Sequence, residues 1–158
     1  MPDNSQQIKK ARKYALLLLK FRPRSINEFR DKLIRHGFAE DVTEELTVDF
    51  KNRGFLDDAK FARLWVQDRL NLKHIGKIKL EAELKAKGID DLVIENALSG
   101  VMLGTDEYES AKELAEKRIG QLNSLDKATK QRRLFTFLQR HGFASDVSAR
   151  VTRETVKK

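Results

Sequence analysis

An eight-residue motif occurs twice in the chain, at residues 35–42 and 140–147, and the two copies differ at a single position. A weaker copy of the same outline surrounds Gly88. The central glycines of the three copies, Gly37, Gly88 and Gly142, are 51 and 54 residues apart. Such a period indicates tandem repeats, in which each unit covers part of its apolar face with a neighbouring unit.

A leucine lies four residues before each of these glycines, and another large apolar residue lies four residues before that leucine. This spacing places both side chains on one face of an α-helix that ends at the glycine. The glycine would take the left-handed conformation that commonly follows a helix and that side chains with a Cβ resist. The apolar pairs are Phe29 with Leu33, Leu80 with Leu84, and Leu134 with Leu138.

A second helical pattern follows each glycine, and a third precedes each pair, over residues 6–21, 58–72 and 106–122. In the middle stretch we expect Phe61, Leu64 and Trp65 to share the apolar face. Side chains that commonly cap helix N-termini stand where helices should begin. The predicted caps are Ser25, forming a capping box with Glu28, followed by Asp57, Thr105 and Asp126.

These patterns predict an all-α protein with no sheet. We expect an elongated or curved array of three tandem three-helix repeats, with about nine helices. The predicted repeats span residues 1–55, 56–104 and 105–158.

The sequence gives no signature of an enzyme. The chain has no cysteine, which excludes disulfides, thiolate nucleophiles and cysteine-ligated metals. The glycines at 100 and 104 lack the Lys-Ser/Thr of a phosphate loop, and we interpret Asp57 and Asp58 as helix-start residues. The apolar run at 14–19 is too short for a secretory signal or a membrane span. We therefore predict no catalytic residue, cofactor or metal, and a soluble cytoplasmic protein.

The net charge of +8 comes from the two outer repeats. Each outer repeat has 12 Lys and Arg against 8 Asp and Glu, whereas the middle repeat has 8 of each. Solvated helix faces are one explanation, and a surface that binds phosphates or an acidic protein is the other. For the set as a whole we favour the second. We interpret most of the interleaved aromatic residues as core packing rather than base-stacking platforms: Phe21, Phe29, Trp65, Phe135 and Phe137.

We predict a set of seven basic side chains as contacts to carboxylates or phosphates of a partner, because arginine and lysine are the donors such groups require. The set is Arg22, Arg24, Lys73, Lys77, Arg132, Arg133 and Arg140.

Several segments spread over nearly the whole chain form a recognisable pattern. They are Ala15, residues 22–25 and 28–33, residues 54–58, 61–62 and 65–66, Gly76, Leu80, residues 83–84 and 87–89, and residues 137–143. On these segments the chain resembles the RecX family, bacterial regulatory proteins that act on the RecA recombinase. The family usually has an arginine where His141 stands.

The resemblance implies a non-enzymatic, cytoplasmic regulator that binds RecA and the RecA–DNA filament. Such a protein typically inhibits RecA or blocks extension of the filament, and so affects recombination, DNA repair and the SOS response. We expect a monomer that does not bind membranes and that binds single- or double-stranded DNA only weakly. The alternative left open by the residues is a direct DNA-binding protein that uses its basic three-helix units.

Overall fold

The structure, a computed structural model, describes residues 3–72, 74–102 and 106–157. Within these ranges it has nine α-helices, one short 3₁₀ helix and no strand. The predicted all-α fold of three tandem three-helix repeats is confirmed. The helices are α1 (Asn4–Phe21), α2 (Ile26–His36), α3 (Glu40–Asn52), α4 (Asp58–Leu72), α5 (Lys77–Ala86), α6 (Asp91–Met102), α7 (Glu107–Ile119), the 3₁₀ helix (Gly120–Leu122), α8 (Lys127–Arg140) and α9 (Ser145–Val156).

The second helix of each repeat ends at a glycine in the left-handed conformation, as the spacing predicts. The φ angles are 100° at Gly37, 74° at Gly88 and 87° at Gly142. The apolar residues four and eight positions before each glycine are all fully buried. Glycine is needed at these turns because the positive φ would strain a residue with a Cβ.

Two predicted caps of the second helices are present. The Ser25 hydroxyl accepts a hydrogen bond from the Glu28 N–H, and the Glu28 carboxylate accepts one from the Ser25 N–H, which completes the capping box. The Asp126 carboxylate accepts from the Thr129 N–H at the start of α8. These side chains satisfy N–H groups that a helix start leaves without an internal partner.

The first helices of the second and third repeats begin at aspartates. The Asp57 carboxylate accepts a hydrogen bond from the Lys60 N–H, as predicted. The N-terminus of α7 is capped by Asp106, whose carboxylate accepts from the Tyr108 N–H. Thr105, the predicted cap, lies outside the described residues.

Three details differ from the sequence-based expectation. Leu64 is 39% exposed, whereas Ala62 and Val66 are buried. The buried face of α4 therefore contains Ala62 and Val66 and does not include Leu64. The stretch 106–122 is not one α-helix, since it tightens to a 3₁₀ turn at Gly120. Phe21, at the end of α1, is 77% exposed and does not pack in the core.

The first and third repeats each have a core built from all three of their helices. In the first, Phe29, Leu33 and Phe50 pack with residues of α1. In the third, Leu134 and Leu138 pack with residues of α7 and α9. Burial of these side chains drives formation of each three-helix unit.

The chain divides into two compact units that do not coincide with the three repeats. One unit contains Met1–Ala62 with Lys85–Ile94, and the other contains Arg63–Leu84 with Glu95–Lys158. The second repeat therefore contributes its glycine turn to the first unit and most of α4 to α6 to the second. The predicted boundaries at 55/56 and 104/105 stay predictions.

In the first unit, the glycine turn of the second repeat binds the start of α2. The Ser25 hydroxyl donates a 2.7 Å hydrogen bond to the carbonyl oxygen of Lys87. Gly88 lies so close to Asn27 that an added Cβ would be 2.6 Å from the Asn27 Cβ. The backbone of the turn is thus in direct contact with side chains at the helix start.

The second unit contains the equivalent contact one repeat later. The Gly76 N–H donates to the His141 carbonyl oxygen at 2.7 Å, and the Ile78 N–H donates to the Gly142 carbonyl oxygen at 3.1 Å. An added Cβ on Gly76 would lie 2.2 Å from the Gly142 carbonyl carbon. A helix-ending glycine turn therefore binds the start of the second helix of the preceding repeat in both places. We call residues 36–38, 87–89 and 141–143 the docking turns.

Truncation of the buried leucines tests the repeat alignment. Leu33→Ala, Leu84→Ala and Leu138→Ala should each lower the free energy of unfolding by about 2–5 kcal/mol, because each leaves a cavity at a fully buried position. Urea denaturation followed by circular dichroism gives the value. Leu92→Ala is the control, since Leu92 is 64% exposed. If the three variants unfold at the same urea concentration as the unmodified chain, the alignment is wrong.

Candidate functional site

Arg22 is held by the partly buried carboxylate of Glu28. Its guanidinium forms two hydrogen bonds to Glu28, at 3.2 and 3.0 Å. The Lys87 ammonium donates to the same carboxylate at 2.6 Å, and the Ser25 N–H also donates to it. Burial by itself would raise the pKa of Glu28, but these hydrogen bonds outweigh it and bring that pKa down to about 2. Arg22 therefore links α1 to α2 within the first unit.

Arg24 also has an internal role. Its Nε donates a 3.4 Å hydrogen bond to the carbonyl oxygen of Leu18, in the last turn of α1. A cation at a helix C-terminus satisfies a free carbonyl and opposes the negative end of the helix dipole. Lys73, the third predicted contact of the set, lies outside the described residues.

Asp58 takes a structural position, in agreement with the interpretation of the Asp57 and Asp58 pair. Its carboxylate accepts a 2.9 Å hydrogen bond from the N–H of Ile26, which is the first residue of α2. Burial raises the pKa of Asp58, and the hydrogen bond from Ile26 acts against that effect. The carboxylate caps one helix from the start of another.

The three predicted arginines of α8 are solvent-exposed. None of them forms an ion pair in the described residues, although the charge of Arg132 contributes to lowering the pKa of Asp126, the cap of the same helix. Arg133 and Arg140 are seven positions apart, so they lie on the same face of the helix, two turns from each other. Phe137 lies between them and receives a cation–π contact from Arg118 of α7, whose Cζ is 5.0 Å from the ring centroid. Arg132 lies elsewhere on α8, in a shallow groove with Phe135 and Arg153.

The docking turn at 141–143 brings basic residues of two repeats together. Because the backbone of Gly76 and Ile78 is hydrogen-bonded to that of His141 and Gly142, the start of α5 lies against the end of α8. Lys77 is exposed at this start, and the Cβ of Lys79 packs on Gly142. We define the basic cluster as Lys77, Lys79, Arg133, Arg140 and His141.

A cleft of about 330 Å³ lies beside the basic cluster. Lys117 contacts the Nε2 of His74 at its edge, with 3.1 Å between the two nitrogens. Arg69 is neutralised there by Glu83, which also accepts a hydrogen bond from the Trp65 indole. The cleft is lined by Arg69, His74, Ile75, Lys79, Leu114 and His141.

The acidic groups of this region are bound to specific donors. Burial favours the neutral form of Glu83, yet the hydrogen bonds from Arg69 and Trp65 lower its pKa. Glu107 accepts the Lys77 backbone N–H at 3.1 Å, which leaves the Lys77 ammonium free to reach solvent. The region therefore has a positive surface that can bind phosphate or carboxylate groups.

Sequence reasoning identified part of this cluster. It selected Lys77, Arg133 and Arg140 from charge alone. It left out Lys79 and His141 of the cluster, and also Arg118, which contacts Phe137. The repeat could have identified Lys79, because Lys79 is 51 residues after Glu28 and therefore occupies the equivalent position at a helix start. The contact of Arg118 with Phe137 depends on how α7 packs on α8, which no local pattern reports.

Two features are absent from the described residues. No three His, Cys, Asp or Glu side chains there come together in a way that could hold a metal ion. No helix in those residues is long and apolar enough to cross a membrane.

Comparison with families of known proteins matches three models to this chain. The first three-helix domain of RecX matches residues 11–46, the second matches residues 57–98, and the third matches residues 105–152.

Individual proteins and structures are similar over almost the whole chain. A Regulatory protein RecX from Amycolatopsis mediterranei is 36% identical over 152 residues, which cover 96% of this chain and 86% of that protein. A Regulatory protein RecX from Lactobacillus delbrueckii subsp. bulgaricus is 34% identical over 149 residues, which cover 93% of this chain and 54% of that protein. The crystal structure of RecX from Lactobacillus salivarius superimposes with a TM-score of 0.82 at 27% identity, covering 98% of this chain and 99% of that one.

The Glu28 carboxylate should make stability depend on pH in the acid range. Its pKa is about 2 in the folded chain against an ordinary 4.5, so its contribution is complete above pH 4.5 and is lost as the pH falls towards 2. Glu28→Gln should therefore destabilise the chain most at neutral pH, with a difference that shrinks through this window. Urea unfolding at a series of pH values measures it, with exposed Glu45→Gln as the control. A difference that does not change with pH would contradict the assignment.

Proposed function

Because this chain belongs to the RecX family, we propose that it regulates RecA by binding the RecA–DNA filament in the cytoplasm and blocking the filament's activity or extension. The regulation works by binding rather than by catalysis. Through RecA it affects recombination, DNA repair and the SOS response.

The observation that carries this proposal is the exposed basic surface of the second unit. Arg133 and Arg140 have no carboxylate partner in the described part of the chain, while Arg22 and Arg69 are each held by a glutamate. Free guanidinium groups can bind carboxylates and phosphates with two parallel hydrogen bonds. A nucleoprotein filament presents both kinds of group, phosphates from DNA and carboxylates from protein.

Repeated units suit a filament as a target. Its identical subunits present the same surface at regular intervals, and tandem three-helix units can contact more than one of them. Each added contact raises the affinity without a new type of interaction, because the later contacts form at high effective concentration. A protein bound across adjacent subunits would oppose the conformational changes that accompany ATP hydrolysis and would obstruct addition of further subunits.

Direct DNA binding is the second candidate function, favoured by the exposed arginines along α8. Phosphate contacts release counterions, so this function predicts tight binding that weakens steeply with salt in the absence of RecA. The filament proposal predicts weak binding to free DNA. Fluorescence anisotropy with labelled single- and double-stranded DNA at several salt concentrations separates the two.

The proposed function predicts inhibition of RecA. DNA-dependent ATP hydrolysis by the cognate RecA should fall as this protein is added, and filaments should stop growing at concentrations below one molecule per RecA subunit. A coupled ATPase assay measures the first effect, and electron microscopy of filaments with and without the protein measures the second. An unchanged rate of hydrolysis at stoichiometric or higher concentration would refute the proposal.

Charge reversal tests whether the α8 arginines contact the filament. The double variant Arg132→Glu, Arg133→Glu should bind filaments at least about tenfold more weakly, which corresponds to ~1.4 kcal/mol. It should keep most of its thermal stability, because both side chains are exposed and the only carboxylate that either influences is the exposed cap Asp126, which Arg132 reaches through its charge.

The matched control is Lys9→Glu, Lys32→Glu, which makes the same change in net charge on exposed positions of α1 and α2. Equal losses in the two double variants would show that only overall charge matters. Undiminished inhibition by the α8 variant would remove these two arginines from the contact set.

A further inference from the structure

The two closest copies of the repeated motif have different surroundings. Residues 35–38 and 140–143 are identical in sequence, Arg-His-Gly-Phe. The second copy is covered by the start of α5, through hydrogen bonds from Gly76 and Ile78. The first copy has no such cover in the described residues, since an added Cβ on Gly37 would have nothing within 4 Å.

The backbone of this first docking turn has an unused acceptor. In the second and third docking turns, the carbonyl oxygens of Lys87 and His141 accept hydrogen bonds at 2.7 Å from Ser25 and Gly76. The equivalent oxygen at His36 accepts no hydrogen bond in the part of the chain that the structure describes. The His36 carbonyl oxygen is thus equivalent to the oxygens through which the other two turns bind helix starts.

These turns bind the same structural element in both cases, although the donor is the Ser25 hydroxyl in one and the Gly76 N–H in the other. Ser25 and Gly76 each immediately precede the second helix of a repeat, so each docking turn meets the N-terminus of a helix. A helix end presents free carbonyl oxygens, a helix start presents free N–H groups, and the two dipoles attract each other when they meet in this way. The residue before the helix is small in both cases. An added Cβ on Gly88 would meet the Asn27 side chain and one on Gly142 would meet Lys79, so each glycine packs against the first turn of the helix.

The first docking turn already has the left-handed glycine conformation of the other two. The His36 ring stacks on Tyr14, with 3.9 Å between centroids, and on Phe38, with 5.2 Å. Gly37 is fixed in the left-handed conformation by hydrogen bonds from its own N–H and from Phe38 to the last turn of α2. Binding would therefore require little ordering of this turn.

We propose that the docking turn at residues 36–38 binds the first turn of an α-helix of the protein partner, at a helix start preceded by glycine or serine. The helix start donates a hydrogen bond to the His36 carbonyl oxygen and packs against Gly37, as α5 does against Gly142. The inference rests on the proposed function, in which the partner is the RecA filament. It adds a contact in the first unit, separate from the basic cluster of the second.

A second copy of this chain does not offer a suitable helix start. The starts of α2 and α5 already bind docking turns of their own chain. The third candidate, α8, is built differently, because 16 positions separate its cap Asp126 from Gly142, whereas 12 separate Ser25 from Gly37. The extra four residues are about one helical turn, so this start is not placed as the other two are. The bound helix therefore comes from another protein.

Asparagine substitutions at two comparable glycines test the proposal. Gly37 and Gly54 both have positive φ, and both would accept a Cβ without a neighbour within 4 Å. Asparagine tolerates the left-handed region better than other side chains, so Gly37→Asn and Gly54→Asn should fold with similar small losses of thermal stability. Only the side chain at position 37 would occupy the place where the partner's helix start packs.

The measurement is binding of the fluorescently labelled full-length variants to RecA filaments on single-stranded DNA. Gly37→Asn should raise the Kd at least about tenfold, and Gly54→Asn should leave it within about twofold of the unmodified chain. Equal affinity of both variants and the unmodified chain would overturn this inference while leaving the proposed function intact. If the unmodified chain itself fails to bind, the proposed function has failed instead.

Two further readouts identify the occupant. A photoreactive amino acid in place of exposed Glu40, three residues after Gly37, should cross-link to a partner segment that contains a helix start. A cross-link to a strand, or none in a filament that binds the labelled protein, would overturn the proposal. Sedimentation velocity tests for a second copy as the occupant. Self-association of the unmodified chain that Gly37→Asn abolishes would also overturn the proposal.

Discussion

The contact between a helix-ending glycine turn and the start of a helix in the preceding repeat is the interaction on which the structure depends. It occurs twice, at Gly88 against α2 and at Gly142 against α5. In each, a carbonyl oxygen at a helix end accepts a hydrogen bond from the residue that precedes another helix. Carbonyl oxygens that an isolated helix end would leave to water are thereby satisfied. Glycine serves two purposes here, since it permits a positive φ and lets two backbones approach closely.

This contact also decides which charges become neighbours. Lys77 and Arg140 are 63 residues apart in sequence, yet the backbone hydrogen bonds between positions 76–78 and 141–142 place their segments side by side. The same geometry in the first unit brings Lys87 to Glu28. In one case the contact assembles a cluster of positive side chains at the surface, and in the other it completes an ion pair. Several equivalent positions differ between the two contacts: Lys79 stands where the earlier repeat has Glu28, and Arg140 and His141 stand where the second repeat has Ala86 and Lys87.

Basic residues in this chain therefore serve two distinct purposes. Arg22 and Arg69 donate hydrogen bonds to glutamates and lower the pKa values of those glutamates. The positive charges of these two arginines are therefore neutralised within the fold. Arg133 and Arg140 have no such acid nearby in the described residues and are available to a partner. Composition cannot distinguish the two groups, because both raise the net charge equally. The three-dimensional position of a few glutamates makes the distinction.

Local sequence patterns are enough to specify the helices, most of their caps and the repeat. Positions four and eight residues before each glycine share a helix face by local geometry alone, and Ser25 and Asp126 cap helices through bonds to residues three positions away. Only the tertiary structure decided that Leu64 faces solvent, that Arg22 is paired, and which docking turns are covered. Two turns with the same four residues differ in this respect, because coverage depends on a segment distant in sequence. Local periodicity encodes which face of a helix is apolar, but not what lies against it.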